Sequence, residues 1–169
     1  MQVNNQNEPR RLDEVDREVL RLLQRDARTS SVDLARSVRL SPPGLMKRLR
    51  RLERDGVIRG YAALLRREAV GLDLLCFVQV TLAHHQPQMV AGFSKAIRAM
   101  PEVLECHHMT GDYDYLMKVV VRNHGHLERF LVESLTRIPG VDRIRTSIVL
   151  KEVKSETALP LEGDGVAHE

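Results

Sequence analysis

Three short amphipathic helical stripes before residue 57, a cationic face on the third, and strand and helix patterns alternating as βαββαβ afterwards predict an α+β chain in two modules. The first helix is predicted from Asp13 to Arg25, where Val15, Val19, Leu22 and Leu23 share one stripe. A second runs from Ser30 to Val38, with a Ser/Asp-rich start and apolar Val32, Leu34, Ala35 and Val38. Arg39-Leu40-Ser41 then leaves room only for a tight turn between crossed helices. The third helix has Ser41 as a natural N-cap, two prolines in its first turn, and Gly56 at its end. Leu45, Leu49 and Leu52 form its apolar stripe. Lys47, Arg50, Arg51 and Arg54 lie opposite, with Arg48 on the flank. Residues 57–65 read as two very short strands around Gly60, which makes the first module a winged helix-turn-helix of residues 12–65.

Residues 66–72 form a connector, after which the rhythm changes. Leu74–Leu82 is rich enough in β-branched and aromatic side chains for a buried strand. Met89, Phe93, Ala96, Ile97 and Met100 follow helical spacing, and 102–110 is a second strand. Gly111-Asp112 turns the chain into a third strand, 113–121. Leu127, Phe130, Leu131, Leu135 and Ile138 give a second helix, Pro139-Gly140 stops it, and 141–150 is the last strand. This order is the ferredoxin-like arrangement, assigned to residues 73–161, with two βαβ halves as a weak internal duplication. Its helices cover one sheet face. Both faces read as substantially apolar, so a second copy of the chain is the expected cover for the other. Residues 1–11 are expected to be a disordered tail, and 162–169 a tail.

Composition narrows the function. The chain has 169 residues and a net charge of +3, but the charge is uneven. Residues 1–60 carry fourteen Lys/Arg against nine Asp/Glu, whereas the remainder carries twelve against fourteen. From Arg39 to Arg54 six basic residues face one acid, Glu53, so the acid–base pairing of a solvated surface helix is largely missing. A basic helix at helix-turn-helix spacing points to the major groove of double-stranded DNA. The candidate contacts are Ser41, Pro43, Gly44, Lys47, Arg48, Arg50, Arg51 and Arg54.

Other classes are disfavoured. The polar start is unlike a secretory signal, and no apolar run approaches a membrane span, so a cytoplasmic protein without a membrane partner is expected. Cys76 and Cys106 lie in apolar runs and read as buried free thiols. His84-His85, His107-His108 beside Cys106, and His124 with His126 raise the question of a metal. Neighbours on a strand face opposite sides, however, and no CxxC, HxxxH or HExxH spacing occurs, so no metal or cofactor is expected. No Gly-rich phosphate loop, nucleophile elbow or Ser/His/Asp constellation suggests an enzyme.

Several motifs in order resemble the Lrp/AsnC, or feast/famine, transcriptional regulators. They are Leu12-Asp13 and Asp16, then Leu40-Ser41, Arg48, Arg51-Leu52-Glu53, Gly56-Val57-Ile58 and Gly60-Tyr61. The second module adds Pro101-Glu102-Val103, Gly111 to Tyr115, Thr146 and Ile148-Val149-Leu150. The resemblance spans about Leu12 to Leu161. One departure is Arg39, where the family commonly has glycine: a non-glycine there either strains the turn or adds a phosphate contact. The resemblance implies a sequence-specific, dimer-based DNA-binding regulator, often an octamer, that responds to a small effector such as an amino acid bound between C-terminal modules. Met109, Thr110, Gly111, Asp112, Tyr113, Asp114 and Thr146 are the expected effector contacts, with Asp112 or Asp114 pairing an α-ammonium group. The alternative is a ligand-free, nucleoid-type architectural protein with little sequence preference.

Overall fold

The computed structural model describes residues 12–161, so both expected tails lie outside the described residues. The chain divides into two compact units. Among the described residues, one comprises 12–63 and 154–161; the other is Leu64–Val153. By contacts, residues 154–161 thus group with the helical unit. One tether is visible at Gln24, whose side-chain amide accepts from Leu159 N at 2.6 Å and donates to Leu159 O at 3.1 Å.

The first unit holds α1 (Glu14–Arg25), α2 (Ser31–Ser37) and α3 (Pro42–Arg54). Each begins on the cap its sequence supplies. Asp13 caps α1 in a reciprocal box with Asp16, Ser30 accepts from Asp33 N, and Ser41 accepts from Gly44 N. The apolar stripes meet in one core of Val19, Leu34, Ala35, Leu45 and Leu49, with Ile58 packed against it. Val32, assigned to the apolar side of the second helix, is instead 53% exposed. Residues 57–65 do not pair into the expected ribbon. Gly56, at φ +72°, lets the chain fold back so that Ile58 N donates to Leu52 O at 3.1 Å, and Tyr61 Oη bonds Glu53. These bonds hold the segment to α3, and a two-stranded ribbon this short gains little on its own.

The second unit opens with a 3₁₀ turn at Arg67–Val70. It continues through β1 (Leu74–Leu82), α4 (Pro87–Arg98), β2 (Val103–His108), β3 (Tyr115–Val121), α5 (His124–Arg129) and β4 (Val141–Ile148). The sheet order is β2-β3-β1-β4, all neighbours antiparallel, which is the ferredoxin-like topology. The last helix starts earlier than expected, on an Asn123 cap, and widens into π-helical geometry over Phe130–Leu135. Thr136 N there bonds Leu131 O, five residues back, and the wider turn buries both Phe130 and Leu135.

Cys76, Val78, Val80 and Leu82 of β1 and Tyr115, Met117, Val119 and Val121 of β3 form the helix-covered core with Phe93, Ile97, Leu127 and Phe130. The register puts their neighbours on the opposite face: Leu75, Phe77, Gln79 and Thr81 across from Val120, Lys118 and Leu116 on one side and Ser147, Arg145 and Arg143 on the other. That face is less apolar than expected. Its middle is hydrophobic, with Phe77 40% exposed, but its edges carry Glu105 and His107 on β2 and Arg143 and Arg145 on β4. Cys106 is also exposed rather than buried, because β2 is an edge strand.

Candidate nucleic-acid interface and loop site

The basic residues of α3 separate into two groups. Arg48 Nη1 donates to Asp13 Oδ2 and to Asp16 Oδ1, both at 2.6 Å, and Arg51 bonds the other oxygen of Asp16. Asp16 is only 1% exposed, so these two arginines are drawn onto the N-terminus of α1. The sequence placed Arg51 on the open face; the structure instead splits its work between this carboxylate and solvent, at 41% side-chain exposure. Burial opposes ionisation of Asp13, but the Asp16 N–H and the Arg48 guanidinium outweigh it and hold its carboxyl below the usual range. The cluster ties the N-terminus of α1 to α3 by charge, beside the apolar core that Val19, Leu45 and Leu49 share. It was missed because Asp16 reads as an ordinary first-turn acid; the signal was the i,i+3 pairing of Asp13 with Asp16.

Lys47 and Arg50 are exposed and have no ion-pair or hydrogen-bond partner among the described residues, while Arg54 has only its neighbour Asp55, at 3.5 Å. Lys47 and Arg54 border two open grooves. One is shared with Leu40, Gly44, Arg48 and Arg51, the other with Pro42, Pro43, Met46 and Arg50. Ser41 and Pro43 stand exposed at the start of the helix. Gly44 lies against Ser41, where an added Cβ would sit 3.1 Å from Ser41 Oγ. A helix seated by its leucines and offering unpaired cations outward can enter a groove lined with phosphates.

The loop between β2 and β3 is wider than a two-residue turn. Met109 N donates to Asp114 O at 2.8 Å and closes a loop containing Thr110, Gly111, Asp112 and Tyr113. Gly111 takes φ +123°, a backbone region other residues rarely adopt. Asp114 is already engaged: Oδ2 accepts from Leu82 N at 2.7 Å and Oδ1 contacts His85 Nε2 at 2.7 Å. Burial works against its charge, yet those partners dominate and keep its carboxyl below the usual range. Asp114 therefore staples β3 to the end of β1. Asp112, by contrast, is exposed, with no partner among the described residues.

Asp112 and Tyr113 border a shallow depression on the open sheet face with Gln79, Thr81, Arg143 and Arg145. Its internal room is about 10 Å³, enough for roughly one water. Thr146 does not join this group. It stands opposite Val78, so its side chain points to the helix-covered side. The two arginines escaped the sequence reading because alternating charges on an edge strand look like ordinary solvation. No three His, Cys, Asp or Glu side chains among the described residues come together as metal ligands. His85, His107 and His126 each contact a carboxylate, and His108 stacks on Tyr115 at 4.8 Å.

Comparison with known proteins finds two family models, one after the other along the chain. A winged helix-turn-helix DNA-binding model covers residues 12–59, and an Lrp/AsnC ligand binding domain model covers 75–159. Leucine-responsive regulatory proteins from Klebsiella pneumoniae and Escherichia coli are each 43% identical over 148 residues, 88% of this chain and 90% of theirs. A transcriptional regulator from Neisseria meningitidis, solved in complex with L-Met, superposes with a TM-score of 0.85 at 37% identity, covering 90% of this chain and 98% of that one. An AsnC family regulator from Agrobacterium tumefaciens gives 0.83 at 34% identity, covering 88% and 97%. The helix-turn-helix with its cationic third helix, the four-stranded sheet and the length of these matches together establish that the chain belongs to the Lrp/AsnC family of DNA-binding transcription regulators.

Proposed function

We propose that the protein binds operator DNA through Lys47, Arg50 and Arg54 of α3, with Ser41, Pro43 and Gly44 lining the approach and Arg48 and Arg51 chiefly holding the helix in place. The observation that carries this reading is the split of α3: two arginines bound to Asp16, and outward Lys47 and Arg50 with no partner among the described residues. The protein acts as a regulator rather than an enzyme, and within the cytoplasm.

Its effector is a free amino acid held at the Gly111–Asp114 loop. Asp112 offers a carboxylate to the α-ammonium group, and Arg143 and Arg145 offer charge to the α-carboxylate. L-Met in the Neisseria meningitidis relative supports this ligand class. A depression of about 10 Å³ is too small for an amino acid, so the site is completed by another protomer. The apolar middle of the open sheet face serves a homodimer, which builds up to an octamer. A thermal-shift screen of the twenty amino acids tests the reading, because a ligand of the folded state must raise the melting temperature. No shift at millimolar concentration of any of them contradicts it.

A further inference from the structure

Arg39 is the one non-glycine residue at positive φ among the described residues, at +55°. An L-residue there brings its Cβ against the following carbonyl, a strain that glycine avoids. Strained backbone positions of this kind cluster at functional sites. Arg39 sits in the turn between α2 and α3, three residues before the first residue of α3. Its side chain is exposed, with no ion-pair or hydrogen-bond partner among the described residues.

The neighbouring helix end suggests what the task is. Helix N-termini commonly hold phosphates through free amide groups. Here that means is absent. Pro42 and Pro43 have no N–H, Gly44 N donates to Ser41 Oγ at 3.3 Å, and Leu45 N donates to Ser41 O at 2.9 Å. The first turn of α3 has no amide left for an anion. Along α3, the first cation without a partner among the described residues is Lys47, five residues into the helix, about 7.5 Å along its axis.

We propose that Arg39 supplies the backbone-phosphate contact at the N-terminal end of α3 that the helix amides cannot make, and that the strained turn is kept for that contact. This rests on the DNA-binding reading above. The contact is to phosphate, so it fixes register along the duplex and carries no sequence information.

The test uses the full chain with two probes: a duplex selected by the wild-type protein from a random pool, and the unselected pool. Arg39→Gly relieves the strain and removes the charge, while Arg39→Lys keeps the charge. The expected result for Arg39→Gly is an unchanged or higher melting temperature. Affinity falls about tenfold on both probes alike, and the slope of log K against log salt flattens by about 0.9 per protomer. Arg39→Lys keeps the wild-type slope. Unaltered affinity and slope in Arg39→Gly would overturn the proposal. A loss confined to the selected duplex, which would mean base contact, also overturns it, as does a loss accompanied by a lower melting temperature. A wild-type protein that binds neither probe would instead refute the DNA-binding reading itself.

Discussion

Replacing Asp16 with Asn keeps its shape and removes the charge that Arg48 and Arg51 share. Removing one partner of a buried ion pair costs about 3–5 kcal/mol. Asp16 is 1% exposed, but the Arg48 and Arg51 side chains are 25% and 41% exposed, so both guanidinium groups recover part of their hydration. That brings the expected loss to about 2 kcal/mol, with Asp13 left bonded to Arg48. Amide hydrogen exchange across α1 and α3 reads this unit separately from the sheet, and the loss corresponds to about 30-fold faster exchange of its slowest amides. Asp33→Asn is the control. Asp33 pairs with Arg36 on the same unit, but the two side chains are 59% and 76% exposed, and such pairs contribute under about 1 kcal/mol. If Asp16→Asn exchanges no faster than Asp33→Asn, the cluster does not hold α3 in place and the division of its arginines is wrong.

Leu49→Ala, in the same core at 8% exposure, should lose about 2–5 kcal/mol by leaving a cavity, seen as selective unfolding of the helical unit in urea. Lys47→Ala or Arg50→Ala should leave that stability unchanged and weaken DNA binding; a change in selectivity of about 1–3 kcal/mol would mark a base contact. Asp112→Ala should abolish the amino-acid thermal shift without lowering the ligand-free melting temperature, whereas Asp114→Ala should lower it by freeing Leu82 N and His85. Asp13 and Asp114 have folded pKa values below the ordinary value of about 3.9, so the unfolded chain takes up their protons first. Their stabilisation is complete above that value and is lost as pH falls through the lower folded values. Acid unfolding curves should therefore steepen below about pH 4, less so in Asp114→Asn.

The fold was legible wherever a local pattern had one physical solution. Ser41-Pro42-Pro43 suits a helix start, and Leu45, Leu49 and Leu52 at helical spacing suit a core face, as the structure has them. The strand and helix order of the second unit followed from its switches between the two periodicities. What failed was decided by contacts distant in sequence. Residues 57–65 are an exception: their strand-like composition is overridden by short-range bonds across the Gly56 helix end, from Ile58 N to Leu52 O and from Tyr61 to Glu53. Cys106 belongs to an apolar run, but edge position leaves it exposed. At the loop, Asp112 and Asp114 look equivalent in sequence, and only the folded chain brings Leu82 N and His85 to Asp114. Arg48 and Arg51 are a similar case, since the acid that engages them lies more than thirty residues earlier.

Regulation by this protein requires that it prefer an operator and that an amino acid alter that preference or the assembly that supports it. The direct measurement is a DNA titration at fixed salt, comparing a selected duplex with random sequence, with and without the amino acid found by thermal shift. Binding to the selected duplex should be at least ~10³-fold tighter than to random DNA. The amino acid should change that binding by about 1–3 kcal/mol in the wild type and not in Asp112→Ala. Equal affinity for both duplexes, unmoved by any amino acid, would contradict this reading and identify a general DNA-packaging protein instead.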